Sequence, residues 1–158
     1  MDRSRLAQAV DAQRTDRQSR PRTYAAELRA VGQGIEQLKL AQFEIEANQD
    51  DYMVRSLEGE AQQWRWPPDV VERLEHEGRR QRQRAEGMPE AHRPSQVLRA
   101  LGQYLDNLGA RPKRITKGTD EIVMVYETSA GSRVTESRTL SSVYDLWVRM
   151  YLRRRTRN

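Results

Sequence analysis

With 158 residues, 36% of them hydrophobic and 32% charged, the chain is long enough for one ordinary domain or two very small ones. It has no cysteine, which excludes disulfides, thiolate metal sites and a cysteine nucleophile. The formal net charge of +5 comes from 25 arginines and 3 lysines against 23 acidic residues, and no apolar run approaches the roughly 20 residues of a membrane span.

In chain order, residues 1–21 have few apolar positions and no apolar core of signal-peptide length, so they read as a flexible basic arm. A soluble cytoplasmic protein without a membrane partner is expected. Then comes "LRAVGQGIEQL" (Leu28 to Leu38), which recurs seventy positions later as "LRALGQYLDNL" (Leu98 to Leu108), with six of eleven positions identical. Both place apolar residues at i, i+3, i+7 and i+10, one face of a helix: Leu28, Val31, Ile35 and Leu38, then Leu98, Leu101, Leu105 and Leu108. Thr23 and Ser95 are candidate N-caps, and Gly109 a C-terminal stop. Gly32 and Gly102 fall mid-helix at matching places, where glycine costs about 1 kcal/mol relative to alanine; a close approach of another element explains the repeated exception.

The correspondence continues past the helix. "AQFEIEANQDDYMVRS" (Ala41 to Ser56) and "RPKRITKGTDEIVMVY" (Arg111 to Tyr126) each predict two strands around a polar turn, at Asn48–Asp51 and Gly118–Glu121. "AQQWRW" and "SRVTESR" can each add a third strand. "PPDVVERLEHEGRRQRQR" (Pro67 to Arg84) and "LSSVYDLWVRMYLRRRTR" (Leu140 to Arg157) then predict closing helices that end in arginine runs.

The expected fold is therefore α+β: an internally duplicated helix–strands–helix unit, αββ(β)α twice, with pseudo-twofold symmetry and small antiparallel sheets covered by helices. Unit 1 spans 22–86, a linker 87–94, and unit 2 95–158. A single unit of this size has a marginal core, which favours a joint one. The element order in about 65 residues is similar to the double-stranded-RNA-binding domain. The likeness is one of order: that family's basic stretch opens its last helix, whereas "LSSVYDLW" opens without a cation, so no binding residue is carried over.

The halves differ in charge. Residues 22–86 carry 10 basic and 13 acidic groups, residues 92–158 carry 13 and 6. Arg111, Lys113, Arg114 and Lys117 gather on one predicted strand and its turn, where they suit phosphate or guard a solvated edge strand. Arg153, Arg154, Arg155 and Arg157 form a second basic group, and Arg79, Arg80, Arg82 and Arg84 a further run. Such runs complement a helix dipole or serve as nucleic-acid arms. "EIVMVYE" is apolar on both faces, so it is expected to be central in its sheet and covered on both sides. The last helix is apolar most of the way round, which makes Tyr144, Trp147, Val148 and Tyr151 a candidate protein interface.

Catalytic signals are weak. His76 and His92 lack metal-pair spacing, and Asp50–Asp51 and Asp120–Glu121 belong to turns. "GQGIEQL" has no phosphate-cradling glycine pattern. Trp64 and Trp66 stack on bases or anchor against the core, the latter favoured. No cofactor, metal or enzymatic activity is expected. Two readings remain: a nucleic-acid-binding protein, RNA slightly ahead of DNA, and a protein-interaction module that uses the apolar final helix, a homodimer included.

Overall fold

The computed structural model describes residues 23–84 and 93–152, with the backbone alone for 78–84 and 151–152. Helix α1 (Tyr24–Leu38) is followed by strands β1 (Phe43–Ala47), β2 (Tyr52–Ser56) and β3 (Gln63–Trp66) and by helix α2 (Pro68–Arg84). The order then repeats as α3 (Pro94–Leu108), β4 (Arg111–Lys117), β5 (Glu121–Glu127), β6 (Arg133–Thr139) and α4 (Leu140–Trp147), which runs into a π-helical turn at Val148–Leu152. No helix is long and apolar enough to cross a membrane among the described residues.

The expected turns hold. Asn48 N–H donates to the Asp51 carbonyl and Gly118 N–H to that of Glu121, both at 2.9 Å. What differs is the sheet. Instead of two small ones there is a single six-stranded antiparallel sheet, in the order β3-β2-β1-β4-β5-β6. β1 pairs with β4, with Ile45 opposite Ile115. That pairing closes two edges that separate sheets would leave as templates for aggregation.

The helices cover one face, α1 against α3 in the middle, α2 beside α1 and α4 beside α3. Between helices and sheet lies the core. Leu28, Val31, Ile35, Leu98, Leu101 and Leu105 meet Phe43, Ile45, Val54, Ile115, Ile122 and Met124, and none is more than 1% exposed. Each such side chain contributes about 1.5–3 kcal/mol. The last position of each repeated stretch leaves this core: Leu38 is half-buried and Leu108 exposed, because the helices end there in left-handed caps at Lys39 (φ 56°) and Gly109 (φ 66°).

The central helices touch backbone to backbone. A Cβ on Gly32 would sit 2.5 Å from Ser95 Cα, and one on Gly102 would lie 2.6 Å from the Tyr24 carbonyl carbon. Each helix also caps the other. The Asp106 carboxylate accepts from the backbone N–H of Tyr24 (2.9 Å) and Ala25 (3.1 Å), and Glu36 accepts from Ser95 N–H (3.0 Å) and its hydroxyl. Thr23 caps α1 through Ala26 N–H as expected. Ser95 is not a cap: α3 starts at Pro94 with Arg93 in the cap position. Proline at the first helical position already has helical φ, and Glu36 supplies the acceptor.

Edge strand β6 turns Glu136 and Arg138 toward the helices. Arg138 lies 4.7 Å from the Tyr104 ring centroid and 3.1 Å from Glu136, which accepts from the Tyr104 hydroxyl at 3.2 Å. Inward charges of this kind discourage pairing with another chain's strand. Burial, reinforced by Glu136, pushes the nearby Tyr126 hydroxyl up to about 12.

Candidate nucleic-acid interface

No described helix packs on the second face of the sheet, so its side chains define an open platform. Cross-strand partners share a face, and the observed register therefore assigns the rows. One row runs Gln63, Arg55, Glu44, Thr116, Val123, Ser137; the next runs Arg65, Met53, Glu46, Arg114, Val125, Thr135. Arg111, Glu127 and Arg133 line up beyond them.

Strand β4 carries the predicted basic group, and a bulge decides where its members point. The register shifts between Pro112 and Arg114. Pro112 and Ile115 both face the core, leaving Lys113 and Arg114 between them on the open side. An extra residue of this sort offsets the alternation of side chains. Without it, Lys113 would share the inward face of Ile115. The strand thus presents Arg111, Lys113 and Arg114 together.

Lys117 is separated from them. It is opposite Phe43 and Ile122, both turned to the core. Its ammonium donates to the Ala41 carbonyl at 2.6 Å and lies 5.9 Å from the Phe43 ring centroid. Burial holds its pKa below the ordinary lysine value, against the pull of Glu58 and Asp120.

Charge on the platform is partly matched. Arg55 pairs with Glu44 (3.3 Å), Arg65 with Asp51 (3.2 Å) and Lys113 with Glu127 (3.5 Å). Thr116 donates to Glu44 and Ser137 to Glu121. Arg111, Arg114 and Arg133 are exposed, and their side chains make no ion pair or hydrogen bond among the described residues. Arg133 was not foreseen. Its strand pairing was the missing signal, because only the β5–β6 register sets it opposite Glu127 and near Arg111.

The remaining candidates are placed as follows. Arg79, Arg80, Arg82 and Arg84 belong to the last turns of α2, where the backbone alone is described, and Arg153, Arg154, Arg155 and Arg157 lie outside the described residues. Tyr144 is 40% exposed and stacks on half-buried Trp147 with ring centroids 6.2 Å apart. Trp147 Nε1–H donates to Gln96 at 3.2 Å, which ties it to α3. Val148 is half-buried in the π-helical turn, and the Tyr151 side chain is not among those described. The double apolar character of "EIVMVYE" has another cause than the expected cover. β5 is second from the edge, with Ile122, Met124 and Tyr126 in the core and Val123 and Val125 half-buried on the open platform.

Trp64 and Trp66 pack against the core, and the Trp66 ring fills the space beside Gly34. His76 is exposed on α2, and His92 lies outside the described residues. Among the described residues no group of three histidine or acidic side chains is arranged to hold a metal ion. Compared with protein-family models, curated proteins and solved structures, the chain matches none.

Proposed function

We propose that this chain is a non-catalytic nucleic-acid-binding protein that contacts phosphates through the open face of its sheet. The observation that carries the reading is the β4 bulge, which gathers Arg111, Lys113 and Arg114 on the face that also holds Arg133. Arginine forks donate two hydrogen bonds to one phosphate, and Arg111, Arg114 and Arg133 make no ion pair or side-chain hydrogen bond among the described residues. The basic tail, Arg153 to Arg157, would add non-specific affinity.

We also infer that the chain arose by duplication. Positions seventy apart play matching parts: Gly32 and Gly102 in the helix contact, Glu36 and Asp106 as reciprocal caps, Ile45 and Ile115 opposite each other. Mirrored roles of this kind are what a twofold relation between the two units would produce. The acidic first unit and basic second unit would then have diverged to give one binding half.

Fluorescence anisotropy of labelled nucleic acids tests the function. If the three unpaired arginines meet three phosphates, affinity falls about 40-fold between roughly 50 and 200 mM salt. The double variant R114E/R133E should abolish binding at the higher salt. Absence of binding at the lower salt would refute the reading. A protein-interaction role would then come forward, favoured by the half-buried Met53, Val123 and Val125 on the same face and by the exposed Tyr144.

A further inference from the structure

Resting on that reading, we propose that the open face takes a double helix rather than a single strand. Two observations point there. The first is the absence of stacking groups. Phe43, Tyr52 and Tyr126 are buried toward the helices, and Trp64 and Trp66 pack against the same core. Among the described residues no aromatic side chain is on the open face. Single-stranded recognition depends on aromatic rings against which unpaired bases stack, whereas a duplex is read by its shape and its sugar–phosphate backbone. On a face of arginines, carboxylates, hydroxyls and aliphatics only the guanidinium planes are left to stack on bases, which favours the second over the first.

The second observation is how the charges are laid out. Arg111, Lys113 and Arg114 on β4 and Arg133 on β6 form one cationic flank; Arg55 on β2 and Arg65 on β3, each already beside a carboxylate (Glu44 and Asp51), form a second, more nearly neutral one. Between them runs β1 with Glu44 and Glu46 facing the same side. At about 4.8 Å per strand the flanks are roughly 10–24 Å apart on a platform some 24 Å wide. Two cationic flanks either side of an acidic strand suit two phosphate backbones side by side, with a groove over the carboxylates. A lone strand would have to cross the acidic strand to use both flanks. In a groove, carboxylates accept hydrogen bonds from amino groups of the bases and, in RNA, from 2′-hydroxyls.

The test uses the full chain with a labelled RNA duplex of about 20 base pairs, the equivalent DNA duplex and each separated strand, at about 50 mM salt. Duplexes should bind at least about tenfold tighter than their strands. Arg65→Glu, at an exposed position on the far flank, should weaken duplex binding several-fold and leave any residual single-strand binding unchanged. Comparing the RNA and DNA duplexes identifies the source of the double helix, and a preference either way supports the assignment. Equal or tighter binding of single strands would overturn the duplex assignment while leaving the nucleic-acid reading in place. Failure of the folded protein to bind any of the probes, including a case in which it only self-associates, would overturn both.

Discussion

Lys117 shows how much one residue's facing matters. It belongs to the same basic stretch as Arg114 in the sequence, yet its ammonium is engaged by the Ala41 carbonyl and the Phe43 ring, on the opposite side of the sheet. We therefore expect Lys117→Met to leave nucleic-acid affinity unchanged in the anisotropy assay in which R114E/R133E abolishes binding at the higher salt. The same change should cost about 0.5–1.5 kcal/mol in urea unfolding through the lost hydrogen bond. The sign of its pH dependence follows from the depressed pKa. In the folded state Lys117 releases its proton below the ordinary 10.5, so the unfolded chain binds more protons in that window. Its contribution to stability then rises as pH climbs toward 10.5, and Lys117→Met removes that rise. A stability–pH profile that stays parallel to the parent protein would contradict the assigned environment.

At the scale of elements, the α1–α3 contact brings two helix backbones together, and its two glycines were legible beforehand because the same costly exception occurred twice. Replacing Gly102 by alanine should improve helix propensity by about 1 kcal/mol. A Cβ there would nevertheless meet Tyr24 and Ala25 backbone atoms, which cannot swing aside as a side chain can. The net result expected is a loss of about 1–3 kcal/mol from overpacking, read as a lower urea midpoint; a more stable variant would show that the helices are free to separate. The helix ends were read unevenly. Gly109 was an evident stop, whereas Lys39, seventy positions earlier, adopts the same left-handed cap without glycine. Nothing in a lysine signals that conformation, which here closes the helix through the Lys39 N–H and leads into Leu40 and Phe43 on the core. Ser95 failed as a cap for a related reason: its N–H and its hydroxyl both donate to Glu36, fifty-nine residues away.

Taken whole, the described residues form two halves of the same element order, joined through β1–β4 and α1–α3. Both junctions bury apolar surface that neither half covers alone. Cutting the full chain at a protease site placed within residues 85–92 should leave the two fragments co-eluting on gel filtration, to be separated only by denaturant. Fragments that drift apart in buffer would mean that the covalent link, not the shared sheet and core, holds the halves together. The same arrangement explains the one-sidedness of the fold. All four described helices are spent on one face, which leaves the other to solvent and to any partner.

Local sequence determined the elements themselves: amphipathic spacing placed Leu28–Ile35 and Leu98–Leu105 in helices, and alternation around Asn48–Asp51 and Gly118–Glu121 set the hairpins, because helical and strand periodicities and turn preferences act over a few residues. The recurrence of the eleven-residue stretch at Leu28–Leu38 and Leu98–Leu108, too, was visible by inspection. Tertiary structure alone decided that β1 pairs with β4 and that a bulge at Lys113 turns it outward with Arg114. An edge strand's partner and a shift of register depend on which distant surfaces must be buried together, and a side chain's facing inverts with a single inserted residue. The charges of the platform were therefore legible as composition, while their assembly on one face was not.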